Sequence, residues 1–412
     1  MFSDFANFIK KSPTEYHSCS YIREMLTEKG FFELDESSDW PEIPKKGFFI
    51  RDERSVFAWN DNGRSHFVLT GGYLDISCFL LKPNYDEIVD GLRRLRVANY
   101  SNFNYHTWFD RNLRIAGRVI CKTAKGVEQL LFDSEEPVAV IPSNNCGSEF
   151  NGAMEDSDIE NYYNPIYGTE NGPSLKCYIA NRLNVKEDDI LTWNLKLIDA
   201  EEPSLINGLV TSQGISGLSC CYAAIKGFLD STPENGTFAI LTLFDNKEIG
   251  SSTRTSAGSN LINYGLKRII KDDDVIRIMK SKSFYINTDT IFATHPAWPN
   301  LLDTNNPVIL GKGPGIEITH SNLKSYDIFG ANIIERVASK INSKLQIYSD
   351  LNFSSRCFTI GPTIEAETSI RVIDIGIPTY SIKSIRESCS INDIKELYNI
   401  LKEIFNTYSS YT

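Results

Sequence analysis

Three acidic side chains, Asp75, Glu248 and Asp289, each come at or just after the end of an apolar run that reads as a buried strand. The clearest is Thr237-Phe-Ala-Ile-Leu-Thr-Leu-Phe244, β-branched and aromatic without helical spacing, followed by Asp245-Asn-Lys-Glu248 and the turn Gly250-Ser-Ser252. Ligands of open α/β sheets bind at the carboxyl ends of the strands, so carboxylates gathered there would share one cleft. Taken singly, each is a turn or cap residue first. His295, six residues past Asp289, is a candidate metal ligand or substrate contact; Lys247 adds an amine to the acids.

The elements that must hold these residues follow from pattern. The 412 residues exceed what one core usually fills, which predicts two domains. Residues 1–79 read as a helix over about 17–29, a hairpin and the strand from His66, which is α/β grammar. From 80 to 205 short strands and turn clusters predict an inserted β-rich domain, with a loop-like stretch over 142–175. After 205 the alternation returns, with helices expected near 217–229, 257–271, 326–343 and 391–407 and strands at 237–244, 283–289, 345–349 and 369–375. Lys271-Asp-Asp-Asp274 reads as a solvated loop, and Lys312-Gly-Pro-Gly315 and Thr359-Ile-Gly-Pro362 as strand-edge turns.

Composition narrows the function classes. A net charge of −11 argues against nucleic acid or an anionic membrane as partner, and no window reaches the roughly 18 apolar residues of a membrane span. The N-terminus has the helical spacing of an amphipathic helix and not a signal peptide. Nine scattered cysteines, none spaced Cys-x-x-Cys, predict reduced thiols and a cytoplasmic setting, with Cys220-Cys221 as packing residues.

In order along the chain, Ser12-Pro-Thr-Glu-Tyr-His17, Thr107-Trp-Phe-Asp-Arg-Asn-Leu113 with Ala116-Gly-Arg-Val119, Phe244-Asp-Asn-Lys-Glu-Ile-Gly-Ser-Ser252, Asp289 with His295-Pro296, Lys312-Gly-Pro314, Thr359-Ile-Gly-Pro362 and Ser384-Ile-Arg-Glu387 resemble the aspartyl aminopeptidase family, dizinc metallopeptidases of the M18 type. The resemblance implies a three-layer α/β metallopeptidase domain (1–79 and 206–412) interrupted by a β-rich oligomerisation domain (80–205), and a large homo-oligomer. It also implies a zinc pair held by histidines and carboxylates.

Carried onto this chain, the implied pattern loses most of its ligands. Tyr73 stands for the first metal histidine, with Asp75 after it; Ser216 stands for the bridging aspartate, Lys247 for the general base and Lys383 for the last histidine. Phe292 replaces another expected histidine, and a histidine-bearing segment becomes Ser143-Asn-Asn-Cys-Gly147. Glu248 and Asp289 remain. Two carboxylates cannot hold two divalent ions, so no bound metal is expected, and the amines of Lys247 and Lys383 are expected within salt-bridge reach of Glu248 or Asp289. The sequence therefore predicts an inactive aminopeptidase homologue, a scaffold or regulatory partner that assembles with itself or with an active paralogue and takes a peptide if the cleft still binds one. The competing reading is an active exopeptidase with a metal site rebuilt from Tyr73, Asp75, Glu248, Asp289 and His295. Thr107–Arg111 is read as packing at the domain junction.

Overall fold

The computed structural model describes residues 1–143, 160–319, 323–352 and 358–411. Two sheets organise them. The larger, of 12 strands, has at its centre the parallel strands Thr237–Phe244, His66–Tyr73, Phe284–Phe292 and Arg371–Tyr380, in that spatial order. Ser55–Asp61 pairs antiparallel with Thr237–Phe244 and carries the hairpin partner Lys46–Arg51 outside it.

The central strands are buried on both faces, which is why their sequences run apolar without alternation. Helices Phe2–Lys10, Glu15–Glu28, Ile215–Leu229, Ile328–Lys340 and Ile391–Thr407 bury one face, in a core that includes Phe5, Ile22, Tyr222, Val337 and Leu397. Leu261–Ile270, Asp273–Ser281 and Gly361–Thr368 cover the other, around Trp59, Phe67, Leu266 and Met279. This is the three-layer α/β arrangement.

The second sheet has seven strands, and six of them close a ring: Ile190–Asp199, Cys78–Val89, Leu92–Tyr100, Ile166–Thr169, Ala139–Val140 and Asn112–Thr123, which pairs back with Ile190–Asp199. Gly126–Asp133 extends it as a hairpin on Asn112–Thr123. Inward residues fill this barrel: Phe79 packs edge-on against Phe103 at 4.9 Å and Trp108 at 5.0 Å, with Tyr163 and Leu195 in the same cluster. Ile385 of the α/β part lies in that barrel core, so the two sheets share a seam.

Three local expectations change. Asp272 caps the helix Asp273–Ser281 by accepting from the backbone N–H groups of Asp274 and Val275, so the acidic run starts a helix where a loop was expected; acids at a helix N-terminus oppose its positive dipole end. Gly361-Pro362 also opens a helix, because proline fits the first turn, where its missing N–H leaves no bond unmade. Part of the loop-like stretch is regular: Ile166–Thr169 is a barrel strand, and the segment 144–159, which holds most of Ser143-Asn-Asn-Cys-Gly147, lies outside the described residues. Ser143 itself donates to Asp110.

Candidate functional site

The ladder between His66–Tyr73 and Phe284–Phe292 runs from Val68↔Phe284 to Gly71↔Asn287 and no further. Beyond it Tyr73, Asp75 and Asp289 follow at the carboxyl edge, and Lys247 and Glu248 enter from the turn after Thr237–Phe244. That turn starts with Asn246 at φ 61°, a left-handed conformation that asparagine tolerates well. Asp75 holds it in place. It is fully buried and accepts from the backbone N–H of Lys247 at 3.1 Å and of Glu248 at 2.9 Å, and from the Tyr100 hydroxyl at 2.9 Å.

At the centre lies an ammonium. Lys247 Nζ is 3.2 Å from Glu248 Oε1 and 3.7 Å from Asp289 Oδ2, donates to the Tyr73 hydroxyl at 3.2 Å, and sits 4.3 Å from the Tyr73 ring centroid. Lys383 Nζ reaches Glu248 Oε2 at 3.2 Å from a turn residue with φ 67°. Ser77 and Ser101 donate to that same oxygen, at 3.2 and 2.9 Å. Asp289 Oδ1 accepts from the Tyr73 hydroxyl at 3.1 Å and from the Thr290 N–H at 2.6 Å. Both expected salt-bridge distances are met.

The electrostatics follow from this shell. Burial pushes Glu248 up, but the ammoniums of Lys247 and Lys383 and the Ser101 hydroxyl bring it down to about 2. Asp289 remains raised, because burial outweighs what Lys247 and the Thr290 N–H return. Burial and the Glu248 charge lift Asp75 to about 6.

Ser216 stands apart from this cluster, in a second one. It sits in an extended conformation at the start of Ile215–Leu229, and its N–H and hydroxyl both donate to the buried Glu387 carboxylate, which also accepts the Lys383 N–H at 2.7 Å. Burial lifts Glu387 to about 7. Gly217 has φ 82°, and a Cβ there would meet the Tyr73 ring at 2.7 Å, so only glycine allows this approach.

His295 packs tilted against Trp298 at 4.6 Å and edge-on against Tyr380 at 5.3 Å, and its Nδ1 accepts from the Ala297 N–H. It orders its own loop. The rebuilt metal site expected from Tyr73, Asp75, Glu248, Asp289 and His295 does not assemble, since His295 is engaged in that loop and both Asp75 oxygens are taken by the turn. Phe292 ends its strand half-buried.

Sequence reasoning missed Ser77, Ser101 and Tyr100. The last two come from the barrel, and nothing in their neighbourhoods marks them. Glu387 had a signal, since it closes the Ser384-Ile-Arg-Glu387 motif. The barrel also grips that motif: Asn104 N–H donates to Lys383 O, and Ile385 N–H to Thr107 Oγ1. Thr107 thus does lie at the seam, while Trp108 belongs to the barrel core.

Zinc does not fit this donor set. Among the described residues no group of three or more His, Cys, Asp or Glu side chains is arranged to hold a metal ion. Both Glu248 oxygens and Asp289 Oδ1 already accept from ammonium, hydroxyl or backbone donors, Asp289 Oδ2 faces the Lys247 ammonium at 3.7 Å, and a cation entering between the two acids would face that charge.

Comparison with known proteins places this geometry in a lineage. A relative from Clostridium novyi (strain NT), named a probable M18 family aminopeptidase 2, is 31% identical over 432 residues, covering 98% of each chain. A probable aspartyl aminopeptidase from Ricinus communis is 27% identical over 471 residues, covering 99% of this chain and 95% of its own. Among solved structures, one titled as the Ape4 and Nbr1 complex superposes with a TM-score of 0.93 at 26% identity, over 99% of this chain and 85% of that one. The S. cerevisiae mApe1 dodecamer shares the fold, with a TM-score of 0.86 at 24% identity over 99% and 97% of the two chains. The family model described as "Aminopeptidase I zinc metalloprotease (M18)" matches residues 8–405, and the chain belongs to the M18 aminopeptidase family.

Proposed function

We propose that this M18 family member has exchanged metal-dependent peptide hydrolysis for a role as a non-catalytic scaffold or regulatory partner, and that the Lys247 ammonium neutralises the acids a divalent cation would otherwise bridge. The observation that carries the reading is Lys247 Nζ between Glu248 and Asp289, with Lys383 on the far oxygen of Glu248. Removing a cation from two buried carboxylates leaves charge that is costly to bury, and amines on the same chain offset it.

Hydrolysis by this family's chemistry needs a metal-activated water and a base to take its proton. In our reading Lys247 and Lys383, at the base and last-ligand positions, supply neither function. Tyr73 and Ser216 stand at the other lost ligands, and the hydroxyls of both are committed to Asp289 and Glu387.

The assembly belongs to the same proposal. The barrel over 80–205 is the oligomerisation domain, the dodecameric neighbour supports a closed homo-oligomer, and the neighbour solved in a complex supports a binding role. An active paralogue, a peptide in the cleft and a cytoplasmic location complete the reading.

Two measurements test it. Metal analysis of the purified protein should find no stoichiometric zinc, and a chromogenic amide of aspartate or glutamate should not be cleaved with zinc, manganese or cobalt added. Stoichiometric metal together with turnover overturns the reading. Light scattering at micromolar concentration should give the mass of a multimer; a monomer there removes the scaffold half.

A further inference from the structure

We infer that a cavity at the amino ends of the central strands, on the sheet edge opposite the ion cluster, binds a flat aromatic ring that carries one carboxylate or phosphate. His66, Phe284 and Arg371 are the first residues of three neighbouring strands, and all three line one cavity of about 400 Å³. That volume lies within the roughly 300–1,000 Å³ of small-molecule sites. The site is independent of whether the carboxyl-edge cleft is catalytic.

Its walls are rings. Tyr408, from the turn after the last helix, lies 4.9 Å from the His66 ring and stacks on Phe284 at 6.3 Å with 9° between the planes. His66, Phe284 and Tyr408 are all buried, and the outer ring, Phe329, is 63% exposed. Phe329 offers an open aromatic face at the cavity, and a ligand ring seated there would cover it.

Charge selects the ligand further. The Arg371 guanidinium lies 4.8 Å from the Phe329 ring centroid, and among the described residues neither Arg371 nor Lys282, also at the cavity, has an ion pair. The one acid lining the cavity, Asp327, caps Ile328–Lys340 by accepting from the Gly330 N–H through Oδ1, and among the described residues it forms no ion pair with either cation. In a chain of net charge −11, two cations against one acid beside a cluster of rings make a local excess of positive charge. A guanidinium stacked on an aromatic face and free to pair is suited to a planar anion: it can stack on the ring and fork to the carboxylate or phosphate.

The test is isothermal titration of the full chain with 2-naphthoate and, separately, with adenosine monophosphate, which distinguishes the carboxylate from the phosphate. Saturable one-site binding of at least one is expected. Arg371→Gln should weaken it about tenfold, the loss of one charged pairing, and Phe329→Ser should weaken it as well; both positions are exposed, so neither change threatens the fold. Lys247→Met should leave it unaltered. Absence of saturable binding by both probes, wild-type affinity in both cavity variants, or equal affinity for the neutral 2-naphthalenemethanol overturns the inference.

Discussion

Two buried ion clusters sit within one molecule, and they differ in what surrounds them. At the seam between barrel and α/β part, Lys196 Nζ contacts Glu15 Oε2 at 2.5 Å, each side chain 1% exposed, with the ammonium 4.3 Å from the Tyr100 ring. Burial pushes Glu15 up, and Lys196 more than reverses it; burial pulls Lys196 down, and Glu15 more than restores it. One acid meets one base there in direct contact, both fully buried, with Arg54 and Asp245 acting on them from further away. In the cleft, one lysine is shared between two acids at 3.2 and 3.7 Å, and the second lysine is 29% exposed. The seam pair fixes two elements together. The cleft cluster balances charge at a strand edge, and its geometry is looser because it stands at the end of a sheet whose strands have parted.

If this distinction is right, Lys196→Met should be the most damaging single change. It strands Glu15 in a dry site, where breaking a buried pair costs about 3–5 kcal/mol, read by denaturant unfolding. Lys247→Met should cost less, about 2–3 kcal/mol, because Lys383 still faces Glu248 and Tyr73 still donates to Asp289. Equal losses from the two variants would erase the comparison.

The pH dependence sharpens it. Glu248 has a folded value of about 2, below its ordinary 4.5, so its contribution is present above pH 4.5 and is lost as pH falls toward 2. Asp75, near 6, and Glu387, near 7, lie above their ordinary values, so the folded state holds their protons more tightly and loses stability as pH rises from about 4 to 7. Thermal unfolding should therefore show greatest stability on the acid side of neutrality, with Glu387→Gln flattening the decline toward pH 8. A melting temperature still climbing from pH 6 to 8 contradicts this. The smallest effect is expected from Lys383→Gln, below about 1 kcal/mol, since a partly solvated ammonium is screened.

Legibility varied with the kind of signal. Thr237–Phe244 and Ile391–Thr407 match their expected bounds, because an unbroken apolar run and a clean helical period each admit one reading. Leu261–Ile270 is shorter than expected, since apolar period says little about where capping stops a helix. Asp272 and Pro362 misled for a common reason: the same residue types serve turns and helix starts, and only the following turn of chain decides. In the cleft, Tyr73, Lys247, Glu248, Asp289 and Lys383 were nameable and do converge. Ser216 and His295 were nameable too, and bind elsewhere.

What the sequence determined by itself is the inventory: which strands are buried on both faces, which carboxylates remain at their ends, and that amines stand beside them. Tertiary structure alone decided which oxygen each amine meets, that barrel residues Tyr100 and Ser101 complete the shell, and that Arg371 and Lys282, without an ion pair among the described residues, gather with three buried rings at the opposite edge. The reason is physical. Periodicity and composition are local, so they fix what a segment must bury, whereas the partner of a buried charge is chosen by chain segments more than a hundred residues away, as with Ser101 and Glu248.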